Sequence, residues 1–390
     1  MTLAALIILE DDGPTSSVLG LSWPEFQLRR AVRAGALHLV LVADRVGRDV
    51  VEAIDRLRGE GLPVTLARST AEVADLFHPQ EAVLLLTGSS IVADERMKAL
   101  LAEPKPALLC IGADRAGTGH ELIDAHSHWV GMARLDGAQI RATASMAGDW
   151  DLGSMLLRKA VAARAGRIAL APGEMLGDAS DPAGATAASR SLVAGAGPLV
   201  RGWGARWIIA PLARLAVRQF PAILPSLARL GPWVAMAAVV LAAVIQLRQW
   251  TSAALIVFLA ALLVATAAQL AATATGIAGR GERLFRPVRD IGGTVLLAHI
   301  AVLGLPDLTP GVLALCTVAF IALADRLIDL ERVNDPRWIA DAPGHAVILS
   351  GASIFGPAGV VGGLAFCALH GLASLSFLQN RLSRVLTSAQ

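Results

Sequence analysis

The stretch "TSAALIVFLAALLVATAAQLAATATGIAGR", Thr251 to Arg280, carries no charged residue until its last position. A bilayer core about 30 Å thick needs about 20 residues of helix, so an uncharged run of this length reads as a membrane span. Working outward from it, the chain falls into two halves of different composition. Residues 1–200 read as water-soluble. From about residue 230 onward, long uncharged runs dominate. Over its 390 residues the chain is 55% apolar, with a mean hydropathy of +0.58. That is too apolar for an ordinary soluble protein. The composition predicts a soluble domain over residues 1–177, a linker over 178–200, an interfacial amphipathic helix over 201–229 and a membrane domain over 230–390.

The first half alternates strand-like and helix-like segments. "LAALIILE", "LHLVLVAD", "LPVTLAR", "EAVLLLTGS" and "PALLCIGA" are apolar runs of the kind buried parallel strands show. Between them, "WPEFQLRRAVRAGA" places Phe26, Leu28, Ala31 and Val32 on one helical side. "RDVVEAIDRLRGEG" is amphipathic and stops at Gly59 and Gly61. "TAEVADLF" starts at Thr70, a residue type that caps helices. Such alternation predicts an α/β domain, Rossmann-like, with a parallel sheet covered on both faces. The N-terminal run lacks a basic leader region and is too short to span a bilayer, so it is expected to be the first strand.

The stretch "LGDASDPAGATAASRSLVAGAGP" is rich in Gly, Ala, Ser and Asp and predicts a linker. Arg201, Arg206, Arg214, Arg218 and Arg229, set among Trp, Ile and Leu, predict the interfacial helix, with Trp203 and Trp207 at headgroup depth. Six spans are expected, at about 232–247, 252–278, 290–305, 310–329, 344–357 and 359–378. Arginine clusters before the first span, at 280–289, at 326–337 and after the last. Six spans put every cluster on one side, which the positive-inside rule makes cytoplasmic. The N-terminal domain and the C-terminus would then face the cytoplasm across an inner (cytoplasmic) membrane. The formal charge of +2 points to no nucleic-acid partner. Cys110, Cys316 and Cys367 have neither metal-ligand nor disulfide spacing and are expected to be buried thiols.

Two stretches resemble known families. "LSWPEFQLRRAVRAGALHLVLVADR" and "AVLLLTGSSIVADERMKALL" are similar to segments of sugar-nucleotide and CTP-dependent nucleotidyltransferases. The six expected spans with the helix before them, together with "TGIAGR", resemble CDP-alcohol phosphotransferases. Fusion of the two modules occurs in that second family. The resemblance implies a nucleotidyltransferase-like α/β domain followed by a membrane domain of about six transmembrane helices. One module would make a CDP-alcohol and the other transfer it to lipid.

The chain departs from both patterns where the chemistry is done. After the first strand comes "EDDGPTSSVLG", with Glu10, Asp11 and Asp12 where a phosphate-binding loop would need glycines and a basic residue. Ser89 stands at the position of the metal-binding aspartate. In the membrane module the resemblance places Ala272 and Thr275 at the first two aspartates, with Gly276 and Arg280 matching. The second half falls on Arg289, Gly293 and Leu297, or with a shorter loop on Arg286, Asp290 and Thr294. At most Asp290 survives of four carboxylates, and a Mg²⁺ or Mn²⁺ site needs several. The expectation is therefore no catalytic residue, no metal and no cofactor. The chain would be a degenerate relative acting as partner or regulator in phospholipid or glycolipid synthesis, as a homodimer or beside an active homologue. Two alternatives stay open. One is an active transferase with relocated metal ligands. The other is a binding or transport protein with a cytoplasmic sensor domain, its cavity lined by residues such as Gln269, His299 and His370.

Plainer readings stand beside these. Ala268, Ala272 and Gly276 recur every four residues, a stripe that lets helices approach closely. Arg280, Arg283, Arg286 and Arg289 either contact lipid phosphates or set topology. His126 and His128 share a strand without a third ligand. His299, His345 and His370 fall in or near spans, where ionisable groups are functional candidates. Asp325 and Asp329 are either cation ligands or partners of Arg326 and Arg332. Asp149 and Asp151 precede a helix that either would cap, or they complete a metal site.

Overall fold

The computed structural model describes residues 3–10, 13–117, 119–147, 151–197, 202–248, 250–277, 308–331 and 338–388. The chain divides into two units. The first comprises Met1–Gly195, Pro221–Pro225 and Ala274–Ile277, and the second the remainder.

In the first unit the strands are β1 (Leu3–Ile8), β2 (His38–Val42), β3 (Val64–Ala67), β4 (Ala82–Leu86), β5 (Ser90–Val92), β6 (Ala107–Gly112), β7 (Glu121–Asp124), β8 (Ser127–Asp136), β9 (Gly166–Ala169) and β10 (Met175–Asp178). The helices are α1 (Trp23–Arg33), α2 (Arg48–Gly59), α3 (Thr70–Val73), α4 (Asp94–Ala102), α5 (Gly137–Ala147), α6 (Leu152–Ala162) and α7 (Pro182–Gly195). The main sheet runs β3-β2-β1-β4-β8-β6-β9, with β7 added against β8. Along β1 the side chains alternate between two cores, as a strand's period of two requires. Ala5 and Ile7 join Leu39, Leu41, Leu84 and Leu86 beneath Leu28, Ala53 and Leu57. Ala4, Leu6 and Ile8 join Val40, Val83 and Leu85 beneath Ile140, Leu156 and Ala160.

The expectation of an all-parallel sheet is corrected. β1, β2, β3 and β4 are mutually parallel, but β8 is antiparallel to both β4 and β6. "SHWVGMARLD" hides this strand from sequence reading, because His, Gly and Arg interrupt its apolar run. Its residues Trp129, Val130, Met132, Ala133 and Leu135 are nonetheless buried. The linker is corrected too. Asp178 ends β10, which pairs with β5, and residues 182–195 form α7, whose Ala185, Ala188 and Val193 are buried. Small residues that read as a flexible tether instead allow close helix packing. α1 buries polar residues as well as its expected apolar side. Besides Phe26, Leu28 and Ala31 it buries Glu25, Gln27, Arg29 and Arg30. Glu25 accepts from Arg29 Nε at 3.0 Å and Arg56 at 2.6 Å, and Arg29 grips Glu60 through two bonds of 2.7 and 2.8 Å. α3 begins after Ser69, not on a Thr70 cap.

The second unit opens with a π-helical turn, Ala205–Ile209, that runs into α8 (Ala210–Gln219). Then follow α9 (Leu224–Leu247), α10 (Thr251–Thr275), α11 (Leu308–Glu331), α12 (Ala342–Ser353) and α13 (Gly356–Ser388). The helix expected over 201–229 is therefore divided: α8 ends at Gln219, and residues 224–229 belong to α9.

Among the described residues, three helices are long and apolar enough to cross a membrane: Pro221–Leu247, Thr251–Thr275 and Gly356–Ser383. Six spans are not supported. The segment expected at 290–305 lies outside the described residues. The uncharged part of α11, Pro310–Ala324, is short. α12 has 12 residues, about 18 Å at 1.5 Å each, well under a bilayer core. Of the cysteines, Cys110 and Cys367 are buried and Cys316 is half-buried. Burial pushes the Cys110 thiol up to about 11, which leaves it unreactive at neutral pH.

Candidate functional site

In an open α/β sheet, ligands bind outside the carboxyl ends of the strands, where the strand order reverses. Here the reversal falls between β1 and β4. The chain leaves β1 toward β2 and β3, and β4 lies on β1's other side. The crevice at that point is walled by Glu10 after β1 and by Thr87, Gly88 and Ser89 after β4. Gly88 has φ +68°, a conformation glycine adopts without strain. Thr87 donates its backbone N–H to Gly131 of β8 at 2.8 Å. The start of α6 closes one side. Asp151 caps it, accepting from Gly153 and Ser154 at 3.2 and 2.9 Å. The capping role read from sequence is thus in place, while Asp11, Asp12 and Asp149 lie outside the described residues.

The crevice is acidic. Desolvation raises the Glu10 carboxyl above its ordinary value, and the neighbouring charges of Asp151 and Glu121 raise it further. A carboxyl that holds its proton more tightly when folded contributes stability below its unfolded pKa. That contribution is lost as pH rises through the folded value. Glu10→Gln is therefore expected to raise the thermal midpoint slightly at pH 7–8 and to leave it unchanged near pH 4. Equal effects at both pH values would show that neither burial nor the neighbouring carboxylates raise the Glu10 carboxyl. Glu10 stays exposed at the crevice rim, so the gain is small.

Ser89 lies in this crevice, at the position the resemblance assigns to a metal-binding aspartate. Asp178 of β10 stands beside it. Burial raises the Asp178 carboxyl, but hydrogen bonds from Ser180 and Ser89 outweigh that and hold it below its usual value. Its Oδ1 takes both the backbone N–H and the hydroxyl of Ser180, at 2.8 and 2.6 Å. This carboxylate is already engaged. Among the described residues, no group of three His, Cys, Asp or Glu side chains is placed to hold a metal ion. Mg²⁺ and Mn²⁺ take several hard oxygen ligands together, and Asp11, Asp12 and Asp149, which flank this crevice in sequence, lie outside the described residues.

Sequence reading missed Ser90 and His120, which lie 3.0 Å apart and look like a nucleophile and its base. The tautomer says otherwise. The Gly117 backbone N–H donates to His120 Nδ1 at 2.9 Å, so the ring's proton sits on Nε2 and is donated to Ser90 Oγ. A base must accept the nucleophile's proton, and this imidazole cannot while Gly117 holds it. A cleft of about 370 Å³ opens next to Asp178, lined by Ile111, Arg115, Gly173, Met175 and Leu176.

In the membrane-helix motif, Ala272 is half-buried and Thr275 is buried near the end of α10. Gly276 follows with φ +70°, the left-handed conformation that commonly ends a helix and favours glycine. Its presence is thus explained by helix termination. Within the first unit, Arg29 donates to the Gly276 carbonyl at 3.3 Å and Arg33 to that of Ala274 at 2.9 Å. Ala268 is fully buried, and a methyl added at Gly231 would come within 2.5 Å of its Cβ. Of the small-residue stripe, Ala268 packs against α9. Arg280, Arg283, Arg286, Arg289, Asp290 and His299 lie outside the described residues. Asp325 and Asp329 fall on α11.

The remaining histidines divide. His126 is exposed. His128, on β8, is half-buried and its Nδ1 has no hydrogen-bond partner. In the second unit, His370 Nε2 meets the Trp338 carbonyl at 2.9 Å, and its Nδ1 meets His345 Nε2 at 3.2 Å. A carbonyl only accepts, so in the neutral pair each Nε2 carries the proton and His345 Nδ1 is left as a bare acceptor. His345 is fully buried, and that atom has no partner. Asp341, one turn before His345, accepts backbone N–H bonds from Gly204 at 3.1 Å, Ala205 at 2.8 Å and Gly344 at 3.2 Å. It thereby ties the π-turn to the start of α12. The signal for this clamp was legible as "DAPGH", an Asp before Pro and Gly at a helix start, but sequence gives no hint of its distant partners in "GWGA".

No family model matches the chain, and no curated protein matches its sequence.

Proposed function

We propose that the chain is a membrane-embedded, catalytically degenerate relative of the CDP-alcohol synthase/transferase fusion, serving as partner or regulator in phospholipid or glycolipid headgroup synthesis. The observation that carries this reading is Ser89. It lies where the sheet order reverses, in the place of the expected metal-binding aspartate, and its hydroxyl bonds the Asp178 carboxylate. The strand order around β1 and β4 supports a nucleotide-handling ancestry. The three apolar helices support a membrane location. A cytoplasmic first unit and dimerisation with an active homologue complete the proposal. A second reading, a working transferase with relocated metal ligands, draws on the negative charge that Asp151 and Glu121 place on Glu10 at the same crevice.

Thermal unfolding of the detergent-solubilised protein separates the two. CTP, a CDP-alcohol and CDP-diacylglycerol are each added with and without Mg²⁺ or Mn²⁺. A ligand at 100 times its Kd stabilises by about 2.7 kcal/mol. The degenerate reading expects no metal-dependent rise for any of them. A rise that appears only with metal, and that Glu10→Gln or Asp151→Asn removes, establishes the working site instead.

A further inference from the structure

We propose that the π-turn and α8 form a binding site for an anionic phospholipid, its phosphate held by Arg214 and Arg218 with Arg206 two turns earlier. Four observations converge on it. First, between Asp181 and Glu282 the sequence contains no Asp or Glu, so these arginines have no acidic neighbour along the chain. Second, none of the three is in an ion pair or side-chain hydrogen bond with a described residue, and the Nε of Arg214 is buried without a partner. Third, Arg214 and Arg218 are one helical turn apart, a spacing at which like charges repel and a shared anion relieves the repulsion.

The fourth observation is the shape of the helix surface. Its inner side is Ala205, Ile209, Ala210, Ala213 and Val217, all at most 4% exposed. The outer side presents Trp207 at 59%, Leu212 at 50% and Leu215 at 60% exposure. Large apolar side chains on the water-facing side of a cationic helix are what an interfacial helix needs: acyl chains take the Trp and Leu, and phosphates take the arginines. A soluble polyanion would leave the apolar residues uncovered. Charge selects an acidic lipid over a zwitterionic one, because a neutral headgroup brings its own cation to the guanidinium. The inference rests on the membrane location alone and stands or falls apart from any relation to lipid-synthesising enzymes.

The test uses the full chain in a neutral detergent, with bound lipid counted by native mass spectrometry. Phosphatidylglycerol and phosphatidylcholine compete at equal concentration. Each arginine near an anionic surface is worth about fivefold in affinity. The wild type is expected to prefer phosphatidylglycerol, and Arg214→Gln with Arg218→Gln to lose about thirtyfold of that preference. The matching double Lys variant should keep most of it, which separates charge from folding. Arg248→Gln, in the turn after α9, should leave it unchanged. Inorganic phosphate should not displace the lipid. Equal lipid counts in the wild type, an undiminished preference in the Gln variant, the same loss from Arg248→Gln, or displacement by inorganic phosphate would each overturn the proposal.

Discussion

Replacing Asp341 by Ala is expected to lower the thermal midpoint of the solubilised protein more than any other single change in the second unit. The carboxylate is 7% exposed and accepts three backbone N–H groups, from Gly204, Ala205 and Gly344. Leaving a buried donor unpaired costs about 1–3 kcal/mol, so three together put the loss at 3 kcal/mol or more. The neighbours cannot close in to compensate. Gly202 has φ +86°, and a side chain there would overlap Asp341, while one at Gly204 would overlap Gly344. Asp341→Asn keeps the acceptor oxygen but turns an amide toward a donor, so an intermediate loss is expected. If the Ala variant melts within a degree of the wild type, the clamp does not hold these segments together.

Gly131→Ala is the corresponding test in the first unit. Gly131 lies in β8 with φ +79°, and an added methyl would overlap the carbonyl oxygen of Thr87. The left-handed conformation costs a residue with a Cβ about 1–2 kcal/mol, and overpacking about 1–3 more. A loss of about 2–5 kcal/mol is expected, read by chemical or thermal unfolding. Because Thr87 leads directly into Gly88 and Ser89, the same change should also disturb the crevice. An Ala variant as stable as the wild type would mean that β8 does not pass β4 this closely.

The parts of the fold that could be read in advance were those with one strong signal. β1, β4 and β6 are uninterrupted apolar runs, β2 and β3 are apolar but for His38 and Thr65, and α10 is a long uncharged helix. β8 was not legible, because its burial comes from two flanking strands and not from its own composition. α7 was misread because Ala, Gly and Ser favour both tethers and tight packing, and only a partner surface decides between them. α1 concealed its charges' burial, since Glu25 and Arg29 look solvated until Arg56 and Glu60 are placed around them. The candidate site was legible in part. Ser89 could be placed from its glycine, but Asp178 lies 89 residues away on β10 and meets it only through the pairing of β5 with β10. Gly276 matched a motif and serves as a helix terminator, a role that the bare spacing could not distinguish.

The position of the sheet along the chain has a consequence for biosynthesis. Among the described residues every strand, including the antiparallel β8 that joins the two halves of the main sheet, lies at or before Asp178, and the first apolar span begins at Pro221. Translating the 42 intervening residues takes about 2–8 s at 5–20 residues per second. Mixed α/β domains fold within milliseconds to seconds. The ribosome therefore delivers a formed sheet before the insertion machinery meets hydrophobic cargo, which keeps the apolar strands from competing with the spans for the same translocon.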